Sequence, residues 1–348
     1  MIALFSTILW AGLAFWINAI HPPPSQELNS YINKLKNQRN MLVVLIFTLP
    51  IPMFLFFNLF IGAGSIEQLI TSAQHFAVPS LFIVILYVLT VFDAYKRGNM
   101  TLAAFGFVED KQEHTMLFIQ RITNILSQKA GIEPPDVRFI KSRSNMPDIT
   151  AAAFYPLGSK KCKILLSTNF VNQLSLQELY ATLGHEIGHV KNNDMIITNQ
   201  LSFLYNVIVM IIPVFFWFVY TLLFVMSSPA FPFLAVGLVA MSAYLTHRVF
   251  KILFQFMYLK ISRKKEYMAD AYSVKLVGKE AMISLMDSFN KKDQEFLEIL
   301  SKVDYDAFQL EKKRGDISRT HPLTERRLNT IKEMDYPDRV EDVHIPHR

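Results

Sequence analysis

Cysteine is almost missing from this sequence of 348 residues: Cys162 stands alone. An internal disulfide framework is thereby excluded, and so is a zinc or iron–sulfur site made from several thiolates. Charge is scarce too. Asp, Glu, Lys and Arg together make 18% of the chain and hydrophobic types 51%, where a soluble domain has about 25% and about 45–50%. That balance, with the apolar residues bunched, speaks against a disordered chain and against an ordinary soluble enzyme. No Gly-rich phosphate loop occurs, which disfavours an ATP-driven enzyme. Nor is there an internal repeat, a low-complexity tract or a basic patch interleaved with aromatics. The net charge of +6 therefore does not point to nucleic acid. Length allows about two domains.

What is present first is apolar length. A transmembrane helix needs roughly 20 mostly apolar residues. Five stretches qualify: 2–20, 41–62, 76–92, 201–226 and one from 230 to near 245. Pro50, Pro52 and Pro213 inside them predict kinks, tolerated where neighbours re-satisfy the freed carbonyls. The first stretch lacks a basic n-region and a small-residue cleavage site, so it is expected to be an anchor and not a signal peptide. Lys and Arg placement sets orientation. Lys34, Lys36 and Arg39 lie in the loop 21–40, Lys96 and Arg97 follow the third stretch, and Arg248, Lys251, Lys260, Arg263, Lys264 and Lys265 follow the fifth. The segment 63–75 has no Lys or Arg. Every basic segment then falls on one side. The N-terminus is expected outside, with 93–200 and 247–348 in the cytoplasm, and the basicity becomes a positive-inside bias.

The cytoplasmic parts carry their own pattern. Leu117, Ile122, Ile125 and Leu126 share one face of a helix over 111–130, stopped by Gly131 with Pro134-Pro135 beyond. Residues 137–140 and 164–166 read as short strands, with a loop or hairpin over 142–158 between them. Ser175 and Glu178 form a capping-box pattern. Leu176, Leu179, Leu183, Ile187 and Val190 mark the apolar face of the helix that it opens. The fifth stretch continues without Gly or Pro through Glu266 and Asp270, and Gly278 is the first stop. Helices are expected over 279–300 and, from Thr320-His321-Pro322, to Met334, with a charged loop over 307–318 between them.

The chemistry sits on two of these helices. His185 and His189 are one turn apart and point to one face about 40° from each other, which lets two imidazoles bind one zinc ion. Glu186 stands one residue on, where it can act as general base toward a water at the metal. Catalytic zinc usually takes three protein ligands. The third is open among His114, His247, His321 and the carboxylates. Glu266 and Asp270 are an i,i+4 pair which, alone, reads more readily as a solvated acidic face. Following a membrane helix that returns to the histidine side, Glu266 becomes a candidate third ligand and Asp270 a carboxylate able to accept a hydrogen bond from a ligand histidine.

His185-Glu186-Ile187-Gly188-His189, Asn193-Asp194, the run from Ser262 to Asp270, and Thr320-His321-Pro322 with Arg326 together resemble HtpX and the CAAX prenyl endopeptidases. The likeness covers most of the chain from residue 80 onward. It implies an integral-membrane zinc metallopeptidase of the gluzincin type. One Zn2+ per chain would be held by His185, His189 and Glu266, with Glu186 as base and Asp270 and Asp194 supporting the ligands. His321 and Arg326 match the late motif, placed to stabilise the transition state; a cation or His donor beside the metal suits a developing oxyanion. Extended peptide is expected along an edge strand at Ile164, Leu165 and Leu166, by strand addition. Where these relatives carry Asn-Ala-Phe, this chain reads Ala152-Ala153-Phe154, so the Asn that holds substrate is missing. An extra apolar stretch also precedes the four-span pattern of HtpX.

The expected fold is a mainly α membrane protein with about five transmembrane helices and a small α+β zincin-type catalytic domain. Its parts are a transmembrane region over 1–100, the first half of the zincin domain over 101–200, a transmembrane hairpin over 201–260 and the second half over 261–348. The expected function is a zinc endopeptidase of the bacterial inner membrane, its site facing the cytoplasm, that cleaves membrane or membrane-associated proteins in quality control. Alternatives are a processing protease for prenylated or secreted peptides, or a non-catalytic zinc-binding sensor or scaffold. The expected partners are a polypeptide substrate and the lipid bilayer, with no nucleic acid.

Overall fold

A computed structural model describes residues 27–48, 107–110, 113–142, 151–154, 161–205, 232–303 and 324–339. The chain divides into two compact units. One is formed by Met1–Ile20, Asn40–Asp93 and Thr198–Ile261, the other by His21–Arg39, Ala94–Ile197 and Ser262–Arg348.

The elements in chain order are α1 (Leu28–Thr48), β1 (Phe107–Asp110), α2 (Glu113–Ala130), β2 (Asp136–Ser142), β3 (Ala151–Phe154) and β4 (Lys163–Ser167). They are followed by α3 (Thr168–Gln173), α4 (Leu176–Lys191), α5 (Asp194–Tyr205), α6 (Pro232–Val277), α7 (Lys279–Val303) and α8 (Thr324–Lys332). The helix expected over 111–130 is α2. It ends where Gly131 takes φ +65, a left-handed conformation that costs glycine nothing. The segment 21–40, expected as a basic loop, instead holds the first half of α1.

The second unit is built on a four-stranded sheet in the order β1-β2-β4-β3. β1 pairs antiparallel with β2, β2 parallel with β4, and β3 antiparallel with β4. This corrects one expectation. β4 is an inner strand with partners on both sides, and Ile164, Leu165 and Leu166 are buried within it. Its backbone groups are already committed, so it has no edge to offer a peptide. β3 is the edge strand next to it, and Ala152 and Phe154 are only partly buried there.

Among the described residues, two apolar cores hold this unit. In one, Ile119, Ile122 and Leu126 of α2 and Leu179, Leu183, Ile187 and Val190 of α4 close over Phe139, Ile164 and Leu166 of the sheet. In the other, Leu28, Tyr31, Ile32 and Leu35 of α1 pack with Met268, Ala271 and Val274 of α6, Met282, Leu285 and Met286 of α7, and Leu328 and Ile331 of α8. The apolar face read for α4 is thus the face that meets the sheet.

Among the described residues no helix is long and apolar enough to cross a membrane. The stretches 2–20 and 76–92 lie outside the described residues, and only 41–48 and 201–205 of the second and fourth are inside them. From Pro232 the fifth stretch belongs to α6, which runs unbroken to Val277 and past Glu266 and Asp270. Gly278 follows with φ +95.

Candidate metal centre

α4 begins as its sequence requires. The Ser175 hydroxyl accepts from the Glu178 N–H at 3.3 Å, and the Glu178 carboxylate accepts from the Ser175 N–H at 2.8 Å. Two orphan donors of the first turn are satisfied. The other oxygen of Glu178 accepts the hydroxyls of Ser284 and Ser288 on α7. α4 is therefore fixed at its start while its apolar side is buried in the core, which sets the rotation that aims His185 and His189 at α6.

The two imidazoles lie edge to face, with their Nε2 atoms 3.1 Å apart. Glu266 of α6 faces both: its carboxylate oxygens stand 3.6 Å from His185 Nε2 and 3.7 Å from His189 Nε2. One donor atom from each residue falls within 4.8 Å of the others. A tetrahedral zinc with ligands at about 2.0–2.2 Å needs donor atoms about 3.3 Å apart. The observed spacings of 3.1 to 3.7 Å bracket that value, so the donor set fits the metal that the sequence pattern implies. Glu186, 6% exposed, follows His185 on the same helix and its charge acts on His189.

Such proximity needs two helices to touch closely, and glycine makes it possible. A Cβ on Gly188 would lie 2.9 Å from the Ala269 Cα and 3.0 Å from the Tyr272 Cβ. One on Gly184 would lie 2.9 Å from the Ser273 hydroxyl and 3.2 Å from the Ser273 Cα.

The far nitrogen of each imidazole meets an aspartate. His189 Nδ1 is 2.9 Å from Asp194 Oδ2, and His185 Nδ1 is 2.9 Å from Asp270 Oδ1. The His185 contact is an ion-pair distance whose N–H is not squarely aimed. These contacts leave Nε2 of each ring, with its lone pair, as the ligand atom on the side of Glu266. Asp194 reaches His189 because Asn193, with φ 55, turns the chain between α4 and α5. Burial disfavours the His189 cation, but the hydrogen bond to Asp194 and the charges of Glu266 and Glu186 outweigh it and push the imidazole up to about 9. Asp270 is wholly buried, which alone would raise its pKa; Arg327 and His185 outweigh burial and hold its carboxyl low.

Each aspartate meets an arginine in turn. Arg327 of α8 donates to both oxygens of Asp270, at 2.8 and 2.5 Å, and its Nη1 stands 3.5 Å from Glu266. This corrects the late-motif arginine: Arg326 is exposed, and the neighbouring Arg327 is the one against the cluster. One residue along a helix is about 100° of rotation, enough to move a side chain from the inner face to the outer. Arg39 of α1 donates to Asp194 at 2.6 Å and to the Asn192 carbonyl at 3.0 Å. In the sequence Arg39 reads only as a topology charge; its approach to Asp194 and the Asn192 carbonyl has no local signature. His321 lies outside the described residues.

A model of peptidase family M48 matches residues 113–335, from α2 to the residues just after α8. The chain belongs to peptidase family M48. That span contains both metal-facing helices, and the resemblance to HtpX and the CAAX endopeptidases is borne out. Protease HtpX from Haemophilus influenzae (strain PittEE) is 29% identical over 213 residues, covering 60% of this chain and 70% of that protein. Protease HtpX from Pasteurella multocida (strain Pm70) is 28% identical over 248 residues, covering 68% and 80%. The crystal structure of S. mikatae Ste24p overlaps 84% of this chain and 67% of its own at 20% identity, with a TM-score of 0.49. Among the described residues of this M48 protein, one group of His, Cys, Asp and Glu side chains is arranged to hold a metal ion: His185, His189 and Glu266. A metalloprotease is the class to which the family and its HtpX relatives assign the chain.

Proposed function

We propose that this M48 protein is a membrane-embedded zinc endopeptidase that cleaves membrane or membrane-associated proteins at the cytoplasmic face, in protein quality control. The observation that carries the catalytic part is the convergence of His185, His189 and Glu266 with spacings suited to zinc. A zinc ion held there supplies Lewis-acid polarisation of the scissile carbonyl and activation of a water molecule. Glu186 takes the proton from the attacking water and passes it to the leaving amine. Asp194 and Asp270 hold the two rings with Nε2 inward, and Arg327 holds Asp270. His321, by family resemblance, offers a donor to the developing oxyanion. Among the described residues β3 is the sheet edge beside β4, so extended peptide adds there rather than along Ile164, Leu165 and Leu166.

Membrane embedding is supported by the five apolar stretches and the one-sided Lys and Arg. Glu186→Gln is the test. The variant is expected to keep about one zinc per chain, to lose cleavage, and to retain membrane-protein substrates when expressed in its host. A fully active variant overturns the mechanism. Retention of nothing beyond the wild-type control overturns the quality-control role.

A further inference from the structure

We infer that Arg39, on the helix nearest the start of the described chain, is a positioning residue of the metal centre, and that the first half of α1 is thereby a working part of it. The inference rests on the zinc-peptidase reading above. Arg39 is 3% exposed although it carries a charge, and a buried charge needs partners. It has two at the site: Asp194 Oδ1 at 2.6 Å and the carbonyl of Asn192 at 3.0 Å. Asn192 is the residue that closes α4, its N–H returning to the Gly188 carbonyl. One guanidinium therefore fixes both the C-terminal end of the histidine helix and the aspartate that holds His189. The other oxygen of Asp194 meets His189 Nδ1 at 2.9 Å. A carboxylate held on one oxygen by a rigid planar cation presents the other in a fixed direction.

The residue before it extends the grip. Gln38 accepts from Lys264 at 2.5 Å, and Lys264, two residues ahead of Glu266 on α6, is 4% exposed. Adjacent residues of α1 thus reach both ligand-bearing segments, the α4–α5 corner and α6. The helix itself is held by Tyr31 and Leu35, 1% and 0% exposed in the second core. The arrangement matches the Arg327–Asp270–His185 chain on the other imidazole, so each histidine has an aspartate and each aspartate an arginine. Packing alone does not require this pattern; an apolar residue would fill the same volume without fixing Asp194.

The experiment measures zinc affinity by chelator competition and the visible spectrum of the cobalt-substituted protein. The purified full-length chain, Arg39→Met, Arg39→Lys and Leu28→Ala are compared, with thermal unfolding of the metal-free forms alongside. Outer partners of metal-ligating histidines typically contribute about 10–100-fold in affinity. R39M is expected to lose affinity in that range and to change the cobalt spectrum. R39K is expected between R39M and wild type. L28A, which trims the core at the first turn of α1 and leaves the arginine in place, is expected to lower the melting temperature and to change zinc affinity far less than R39M does. If R39M does not fold, R39K against L28A carries the same comparison. Unchanged affinity and spectrum in folded Arg39 variants overturn the inference while the zinc reading stands; a wild-type chain that binds no zinc overturns both.

Discussion

Gly188→Ala tests whether the spacing of α4 and α6 sets the metal centre. The added methyl would meet the Ala269 Cα at 2.9 Å and the Ala269 carbonyl oxygen at 3.1 Å. Ordinary carbon–carbon contact is about 3.5–4.0 Å. Both obstacles are backbone, so no rotamer relieves them, and the helices must part by about 0.6–1 Å. Metal–ligand distances tolerate about 0.2 Å. Glu266 lies on the helix that is pushed away, and the histidines flank the new methyl on the other. The global cost is small by comparison. Overpacking takes about 1–3 kcal/mol, while replacing glycine inside a helix returns about 1 kcal/mol. The variant is therefore expected to fold, with a melting temperature a few degrees lower, yet to lose zinc affinity by at least about tenfold and activity with it. Chelator competition and metal content give the first quantity, thermal unfolding the second. Gly184→Ala is expected to be milder, because its nearest backbone obstacle, the Ser273 Cα, stands at 3.2 Å, and the closer Ser273 hydroxyl, which donates to the Ala181 carbonyl at 2.8 Å, can turn aside. If G188A binds zinc and turns over like the wild type, the close approach is not what assembles the site.

Arg327→Met strips the guanidinium from the wholly buried Asp270; breaking a buried pair in this way costs about 3–5 kcal/mol, readable in denaturant unfolding, and a loss under 1 kcal/mol would contradict the pairing. Dialysis against a chelator is expected to remove about one zinc per chain and all cleavage, with both restored by stoichiometric zinc; full activity after the metal is gone would rule out a metal mechanism. Burial pushes the Cys162 thiol up to about 12. At pH 8 its thiolate fraction is then about one in ten thousand, against roughly a quarter for an ordinary thiol of pKa about 8.5. Alkylation in the folded protein is expected to be on the order of a thousandfold slower than in denatured chain and to accelerate as pH rises; rapid labelling at pH 8 would place Cys162 elsewhere.

What the sequence made legible was what is encoded locally. The capping box at Ser175 and Glu178 and the apolar recurrence from Leu176 to Val190 are features of one helix, and α4 forms as they require. The histidine pair follows from helical spacing, and the unbroken run to Glu266 follows from the lack of Gly or Pro between the fifth apolar stretch and Gly278. The misses lie where the answer depends on distant pairing. Ile164, Leu165 and Leu166 read as a strand, but nothing in them says that β2 and β3 occupy both of its edges. β3 itself, with three alanines, has little of the β-branched signal that marks a strand. The late arginine was displaced by one residue because a motif fixes spacing only as well as helix phase is known. Arg39 meets a partner 155 positions away, and no pattern around it foretells that.

The chain that builds this centre is threaded through it in four passes: Arg39, then the segment from His185 to Asp194, then Glu266 with Asp270, and finally Arg327. A growing polypeptide releases these in order, and the last guanidinium appears only when α8 has been made. Until then the buried Asp270 on α6 lacks its counter-charge, and nothing from α8 holds it where it meets His185. Latency is thus written into the order of synthesis. A nascent copy, or one broken off before α8, is expected to hold zinc about 10–100-fold more weakly and to stay largely silent among half-folded neighbours until the helix is made.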